Sequence, residues 1–263
     1  MPISKAELKK TKALLTRKGR RSQGRFIGEG IRLLDEALHH RFLPIVVYYA
    51  ESLLSERGRD LLGRLQEYEV PASAVSTREL ESLSHTKAPQ GVVAVFETPT
   101  VDLGKLFRPD FRTVLWCHHV ADPLNLGLLL RSAAAFGIDL VVTSGDSVEL
   151  FAPRTVRASA GAVFAVPVAT AAWEEISNLL REHNFCVLAT DIHGREFRTL
   201  ADVAEPEQKL ALVVGSEADG LPVEIINRAE TVLRIAHENR VESLNVAVAG
   251  SILMREVYEF RKA

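Results

Sequence analysis

Three stretches of the chain set amide, carboxylate, guanidinium and glycine groups at spacings that suit chemistry on a bound ligand. The first is Asp122-Pro123-Leu124-Asn125-Leu126-Gly127, followed by Arg131 and then Ala133-Ala134-Ala135-Phe136-Gly137. It comes directly after the apolar run Val114-Leu115-Trp116 and opens a helix, which either Asp122 or Asn125 can cap by accepting from free N–H groups. Arg131 then projects from the second turn, near the sheet end where ligands of α/β proteins gather. A plain capped helix with a surface arginine explains the caps, but not so many small residues around one arginine. The second stretch is Leu212-Val213-Val214-Gly215-Ser216-Glu217-Ala218-Asp219-Gly220-Leu221-Pro222. Here a strand runs into a turn that carries a carboxylate, and Gly215 and Gly220 permit close backbone approach of a ligand. No Gly-Lys-Ser/Thr follows and the G-x-G-x-x-G spacing is missing, so neither a phosphate loop nor a dinucleotide fingerprint is present. The third runs from Leu233-Arg234-Ile235 through a polar loop to Ser243-Leu244-Asn245-Val246-Ala247. Ser243 or Asn245 can cap the helix that begins there, and its small residues also suit close helix packing.

Other reactive side chains carry less. His118-His119 has no third ligand in view and reads as a strand end, while His237 and Glu238 read as solvated loop residues. Trp116 and Trp173 read as packing groups. Cys117 and Cys186 are too few for a disulfide framework or a cysteine-built zinc site, and no metal-binding set emerges.

The elements that must hold these residues alternate. Residues 4–15 look helical, 17–24 look like a loop, and a helix begins at Ile31 after Gly28-Glu29-Gly30. Ile45–Tyr49 and Val92–Phe96 are strand-like, with helical spacing over 51–67 between them. Residues 99–110 carry two prolines, a glycine and no sustained period, which marks a linker between a domain of residues 1–98 and one of 111–263. Beyond the linker, strands are expected at 113–117, 139–143, 163–168, 185–189, 210–214 and 231–235, with helices at 125–136, 172–183 and 243–260. The class is α/β.

With 47% hydrophobic and 25% charged residues, the composition is that of a globular protein and excludes a disordered chain. No apolar run approaches the roughly 18 residues of a membrane span. Charge follows Met1-Pro2-Ile3-Ser4-Lys5 where a signal peptide needs an apolar stretch, so a soluble, cytoplasmic protein is expected. The net charge of −2 hides an asymmetry, because residues 1–25 sum to +8 and the remainder to −10. A polyanionic partner and a solvated, disordered terminus are both open readings of that basic arm.

Taken together, the three stretches resemble the signature motifs of the SpoU–TrmH (SPOUT) family of RNA ribose 2′-O-methyltransferases. They match Asp-Pro-x-Asn-x-Gly-x-x-x-Arg, Gly-x-Glu-x-x-Gly and Ser-Leu-Asn-Val in order and spacing, and Arg157-Ala158-Ser159-Ala160-Gly161-Ala162 adds to the likeness. Gly28-Glu29-Gly30 and Gln90-Gly91-Val92 are similar to the family's optional substrate-binding domain, a smaller α/β domain of ribosomal-protein-like fold. The resemblance implies a trefoil-knotted catalytic domain, homodimers formed through it, and S-adenosylmethionine as cofactor without a metal. It assigns the cofactor to Gly215, Glu217, Gly220, Ile235, Leu244 and Asn245, and catalysis to Arg131, Asn125, Glu217, Ser243 and Asn245. Arg17, Lys18, Arg20, Arg21 and Arg25 are then the expected RNA contacts, with 23S ribosomal RNA favoured over transfer RNA.

A protein guanidinium stays protonated. The role expected of Arg131 is therefore to clamp an RNA phosphate and stabilise the developing alkoxide, while Asn125 orients the ribose. Ala236 stands where the family has proline and Asn239 where glycine is common, so the cofactor loop is freer here. Leu128 replaces a small residue and narrows the pocket. Two rivals remain: an RNA-binding protein that keeps the fold without catalysis, and a small-molecule nucleotide enzyme.

Overall fold

The computed structural model describes every residue except Met1, Pro2, Lys87, Arg198, Glu217, Asn239 and Ala263. The chain divides into two compact units, Met1–Thr100 with Phe151–Ala165, and Val101–Leu150 with Val166–Ala263.

The first unit begins with a helical hairpin, α1 (Lys5–Ala13) and α2 (Arg17–Gln23). Residues 17–24 were expected as a loop because their charges follow no amphipathic period. Local chemistry makes them helical instead: Thr16 accepts from the Gly19 N–H at 3.1 Å, and Gly24 stops the helix at φ +61°. The two helices pack so closely that a Cβ on Gly19 would lie 1.9 Å from the Ala13 carbonyl oxygen. There follow β1 (Arg25–Glu29), α3 (Ile31–His39), β2 (Val46–Tyr49), α4 (Glu56–Glu67), β3 (Ala72–Ala74), α5 (Thr77–Leu83) and β4 (Val92–Glu97). The strands form a sheet in the order β1-β4-β2-β3, antiparallel except for the β2–β3 pair.

One core of this unit gathers Leu14, Ile27, Tyr48, Leu80, Leu83, Val93 and Val95. A second is aromatic. Phe26 stacks on Phe96 at 5.2 Å between ring centres, and Phe151 approaches Phe26 at 4.6 Å. Phe164 lies 5.0 Å from Phe42 and 5.1 Å from Phe96. These contacts bring Phe151–Ala165 into the first unit. A strand was expected at 163–168, but Ala162–Phe164 form a 3₁₀ turn whose phenylalanine enters the aromatic cluster.

In the second unit, α6 (Leu103–Leu106) falls within the stretch expected as linker, and Leu103, Phe107 and Phe111 are buried in its core. The other elements are β5 (Thr113–Cys117), α7 (Pro123–Ala135), β6 (Leu140–Thr143), β7 (Val168–Thr170), α9 (Trp173–Glu182), β8 (Phe185–Phe197), β9 (Lys209–Val214), α10 (Val223–Ile226), β10 (Thr231–Ile235) and α11 (Val246–Phe260). The helix between β6 and β7 is α8 (Pro153–Ala158), which packs in the first unit. The sheet is parallel throughout, in the order β10-β8-β9-β5-β6-β7. Its inner strands are apolar without alternation because helices cover both faces. Trp116, Val142, Ile176, Leu180 and Val213 fill one side of it. Among the described residues no helix is long and apolar enough to cross a membrane.

Candidate functional site

The first and third motifs meet through a single amide pair. Asn245 is the N-cap of α11, its Oδ1 accepting from the Ala247 N–H at 2.9 Å and the Val248 N–H at 3.3 Å. Its Nδ2 donates to Oδ1 of Asn125 at 3.0 Å. Asn125 is 7% exposed and Asn245 is exposed, so the bond runs from the buried interior to the surface. Asp122, not Asn125, caps α7, accepting from the Leu124 N–H at 2.9 Å. Further along the two helices, a hydroxyl pair links Ser132 to Ser251 at 2.6 Å, and a Cβ on Gly250 would lie 2.5 Å from a Leu129 methyl. The small residues after Asn245 thus let α11 lie close on α7.

The second motif forms a tight turn at the end of β9. Ser216 and Gly220 exchange backbone hydrogen bonds at 3.0 and 3.2 Å, and the Ser216 hydroxyl accepts from the Asp219 N–H at 2.9 Å. Gly220 sits at φ +67°. A Cβ on Gly215 would fall 2.3 Å from the Gly220 carbonyl carbon, so only glycine fits there. Beside this turn lies a cavity of about 520 Å³. It brings together Gly215, Gly220, Ile235, Ser243, Leu244 and Asn245, all of them expected site residues.

Two expected residues do not line it. Asn125 is buried behind Asn245. Arg131 is exposed on α7, about 9 Å along the helix from Asn125 and about 120° around it. Leu124 and Leu128, at 55% and 36% exposure, share the face of Arg131, and Val248 of α11 is 48% exposed. Glu217 and Asn239 lie outside the described residues. Among the expected RNA contacts, Arg17, Lys18, Arg21 and Arg25 are exposed. Arg20 is buried, and its Nη1 donates to the Leu14 carbonyl at 3.0 Å, where it ties the hairpin together.

Sequence reasoning missed one wall of the cavity. The pairing of β8 with β10 jumps from Ala189↔Val232 to Arg195↔Leu233, and residues 190–194 loop out between. Thr190, Asp191 and His193 of this excursion line the cavity, and Oδ1 of Asp191 accepts from the His193 N–H at 2.7 Å. Gly194 lets the strand close again, since a Cβ there would meet the Val232 carbonyl oxygen at 2.8 Å. His237, expected to be solvated, is half-buried at the rim, and its Nδ1–H donates to the Ile235 carbonyl at 2.9 Å.

The histidines at the end of β5 lie elsewhere on the same sheet. The ring of His118 stacks on Trp116 at 5.2 Å with its Nδ1 buried and unpartnered among the described residues. Burial holds its pKa below the ordinary histidine value, against the weaker opposing pull of Asp146. A hydrogen bond from the Ser144 hydroxyl, at 2.5 Å, keeps the Asp146 carboxyl below its usual range. Burial alone pushes the Cys117 thiol up to about 12, which makes it an inert core group. Among the described residues no cluster of His, Cys, Asp and Glu could hold a metal ion.

Comparison with known proteins bears on both units. The SpoU rRNA Methylase family matches residues 112–255, and the MRM3-like substrate binding domain matches residues 5–94. A 23S rRNA guanosine 2′-O-methyltransferase of Bacillus subtilis, RlmP, is 30% identical, with 97% of this chain and 96% of that one covered. The AdoMet-bound rRNA methyltransferase of Sinorhizobium meliloti is 28% identical with a TM-score of 0.83, covering 96% of this chain and 94% of that one. The SpoU methyltransferase AviRb of Streptomyces viridochromogenes, solved with AdoMet, is 26% identical with a TM-score of 0.84, covering 98% and 99%.

Proposed function

The chain belongs to the SpoU rRNA methylase family, and from that premise we propose that it transfers a methyl group from S-adenosylmethionine to a ribose 2′-hydroxyl of 23S ribosomal RNA. The observation that carries this reading is the convergence at one cavity. Gly215 and Gly220 of the second motif line it with Ser243, Leu244 and Asn245 of the third, and Asn245 is bonded to Asn125 of the first.

The cavity fits the cofactor. Its volume lies within the roughly 300–1,000 Å³ of small-molecule sites, and Gly215, Ile235 and Leu244 are among the residues that line it. Asp191, Asp219 and Glu242 give its lining an acidic character that suits a cationic donor. When bound, S-adenosylmethionine supplies a methyl group already attached to its leaving group. The chain's own task is to hold the ribose oxygen in line and to ease loss of its proton. Asn125 acts through Asn245, fixing that side chain at the cavity rim, and the ribose-orienting role first expected of Asn125 passes to Asn245 and Ser243.

Arg131 completes the site across a homodimer in this reading. Leu124, Leu128 and Arg131 recur at helical spacing on one exposed face of α7, so a second copy laid on that apolar face would meet the guanidinium. Protonated throughout, Arg131 grips an RNA phosphate and stabilises the forming alkoxide, while the phosphate or a water takes the proton. In the same proposal Glu217 belongs to the cofactor and catalytic set, the second unit carries the family's trefoil knot, and the protein works in the cytoplasm. Arg17, Lys18, Arg21 and Arg25 offer exposed charge to the RNA.

The test is mass-spectrometric mapping of ribose methylation in total RNA from cells with and without the gene. One 2′-O-methyl nucleotide of 23S RNA should vanish in the deletion and return with the wild-type gene but not with Arg131→Ala. An unchanged methylation map would overturn the proposal.

A further inference from the structure

The first unit holds a second concavity, of about 180 Å³, where the start of α3 meets the turn after α5 and one end of α8. Its walls include Glu29, Arg32, Thr86, Gln90 and Arg157. The acid and the amide are consumed by structure. The Glu29 carboxylate accepts from the Ser84 and Thr86 hydroxyls at 2.7 and 2.5 Å and from the His85 N–H at 3.1 Å, pinning the turn that forms one wall. Gln90 Oε1 accepts from the Ile31 N–H at 3.3 Å.

The two guanidinium groups are not consumed. Arg32 and Arg157 are exposed and make no ion pair or hydrogen bond among the described residues. Three other arginines of the unit are neutralised: Arg57 and Arg64 share Asp35 at 2.6 and 2.8 Å, and Arg59 meets Glu51 at 3.2 Å. Arg157 reaches the cleft because apolar packing carries it there. Phe151 and Phe164 anchor its segment in the aromatic cluster, and Gly161 lets the segment settle on α3, where a Cβ would lie 2.3 Å from that of Glu36. Packing therefore holds two guanidinium charges at one small cleft whose one carboxylate, Glu29, is turned to the Ser84–Thr86 turn, so the cleft keeps a net positive charge that an anion would stabilise.

We infer that this cleft grips the RNA backbone, with Arg32 and Arg157 holding a phosphodiester between them. The inference rests on the RNA-methylation reading and adds where substrate is held. The volume falls below the roughly 300 Å³ of sites for whole small molecules, which suits a phosphate and a sugar edge and leaves the base outside. Arg157 lies outside the stretch matched to the substrate-binding domain and inside the stretch matched to the methylase family. The grip is thus built from both matched regions of the chain.

Fluorescence anisotropy of the full-length protein with a labelled fragment of 23S ribosomal RNA, across a potassium chloride series, tests this. Each phosphate contact contributes about 0.9 to the log–log salt slope on duplex RNA, taking the duplex DNA value, and about 0.7 on single strands. The double variant Arg32→Ala/Arg157→Ala removes that one phosphate contact and should lose a slope of about 0.7–0.9, and about 4- to 5-fold in affinity at about 0.15 M salt. The Arg32→Lys/Arg157→Lys variant should keep the slope, and Arg57→Ala, which removes an already paired charge, should leave it unchanged. S-adenosylmethionine binding by calorimetry should match wild type in all three. An alanine double variant with wild-type affinity and slope would overturn the cleft, as would an equal loss in Arg57→Ala. A wild-type protein that neither binds nor methylates ribosomal RNA would instead overturn the parent reading.

Discussion

Replacing Asn245 by alanine removes two things that the structure separates. One is the cap of α11, in which Oδ1 accepts from two backbone N–H groups. Loss of such a cap costs about 1 kcal/mol. The other is the Nδ2 bond to Asn125, whose net worth is about 0.5–1.5 kcal/mol. The expected destabilisation is about 2 kcal/mol, or a fall of about 4–8 °C in the midpoint of the second unit. Asn245→Ser keeps a capping oxygen and deletes only the link, so it should cost about half as much. A double-mutant cycle with Asn125→Ala isolates the bond itself. Urea unfolding should return a coupling of about 1 kcal/mol, since Asn125 is buried and Asn245 can turn its freed amide to water. Additivity within about 0.3 kcal/mol would refute the claim that this amide pair joins the first and third motifs.

Two further outcomes follow from the same geometry. Gly215→Ala sets a Cβ against the backbone of Gly220 and Leu221, which cannot give way, whereas Gly250→Ala meets only a Leu129 methyl. Calorimetry should show no S-adenosylmethionine binding by the first and near-normal binding by the second, with the stability loss of Gly215→Ala toward the top of about 1–3 kcal/mol; wild-type binding by Gly215→Ala would contradict the turn's role in shaping the cavity. Because burial lowers the His118 pKa in the fold, the unfolded chain binds more protons below the ordinary value of about 6.5, and stability must rise with pH up to that value and level off above it. Thermal midpoints at about pH 5 and about pH 7.5 should therefore differ less in His118→Gln than in wild type, and equal differences would count against desolvation of this half-buried imidazole.

How far the sequence reached follows from which forces shaped each element. β5 stands at the bounds expected for it, because a strand covered on both faces is written as a continuous apolar run, and β10, half-buried at the sheet edge, stands at its expected bounds as well. α2 and α8 left no such trace. Their sequences are mostly polar, and their places are set by caps, by Arg20 reaching back to Leu14, and by phenylalanines that flank α8. α5 did carry a local signal, since Ser76 and Glu79 form a capping box, which reads as S-x-x-E. The apolar run at 163–166 fits a strand as well as a turn, and only the distant ring of Phe42 beside Phe164 decides between them.

The site shows the same division more sharply. Glycines and asparagines at 215, 220 and 245 were legible because a turn, a positive φ or a cap demands those residue types. Asp191 was not, because nothing in the apolar run that begins β8 announces that its pairing will jump and throw out residues 190–194. The one hint was Gly194, an isolated glycine within a strand pattern, which marks a bulge or a close backbone approach. Bulges beside cavities re-aim side chains that regular pleating would bury or expose. The regular sheet therefore supplies rigidity, while the cavity is formed where regularity fails, at the β8 excursion, the Ser216–Gly220 turn and the start of α11. Arg131 follows neither rule. It rides on a regular helix, exposed and outside the lining of the cavity, and the proposed homodimer is what would bring it to the site.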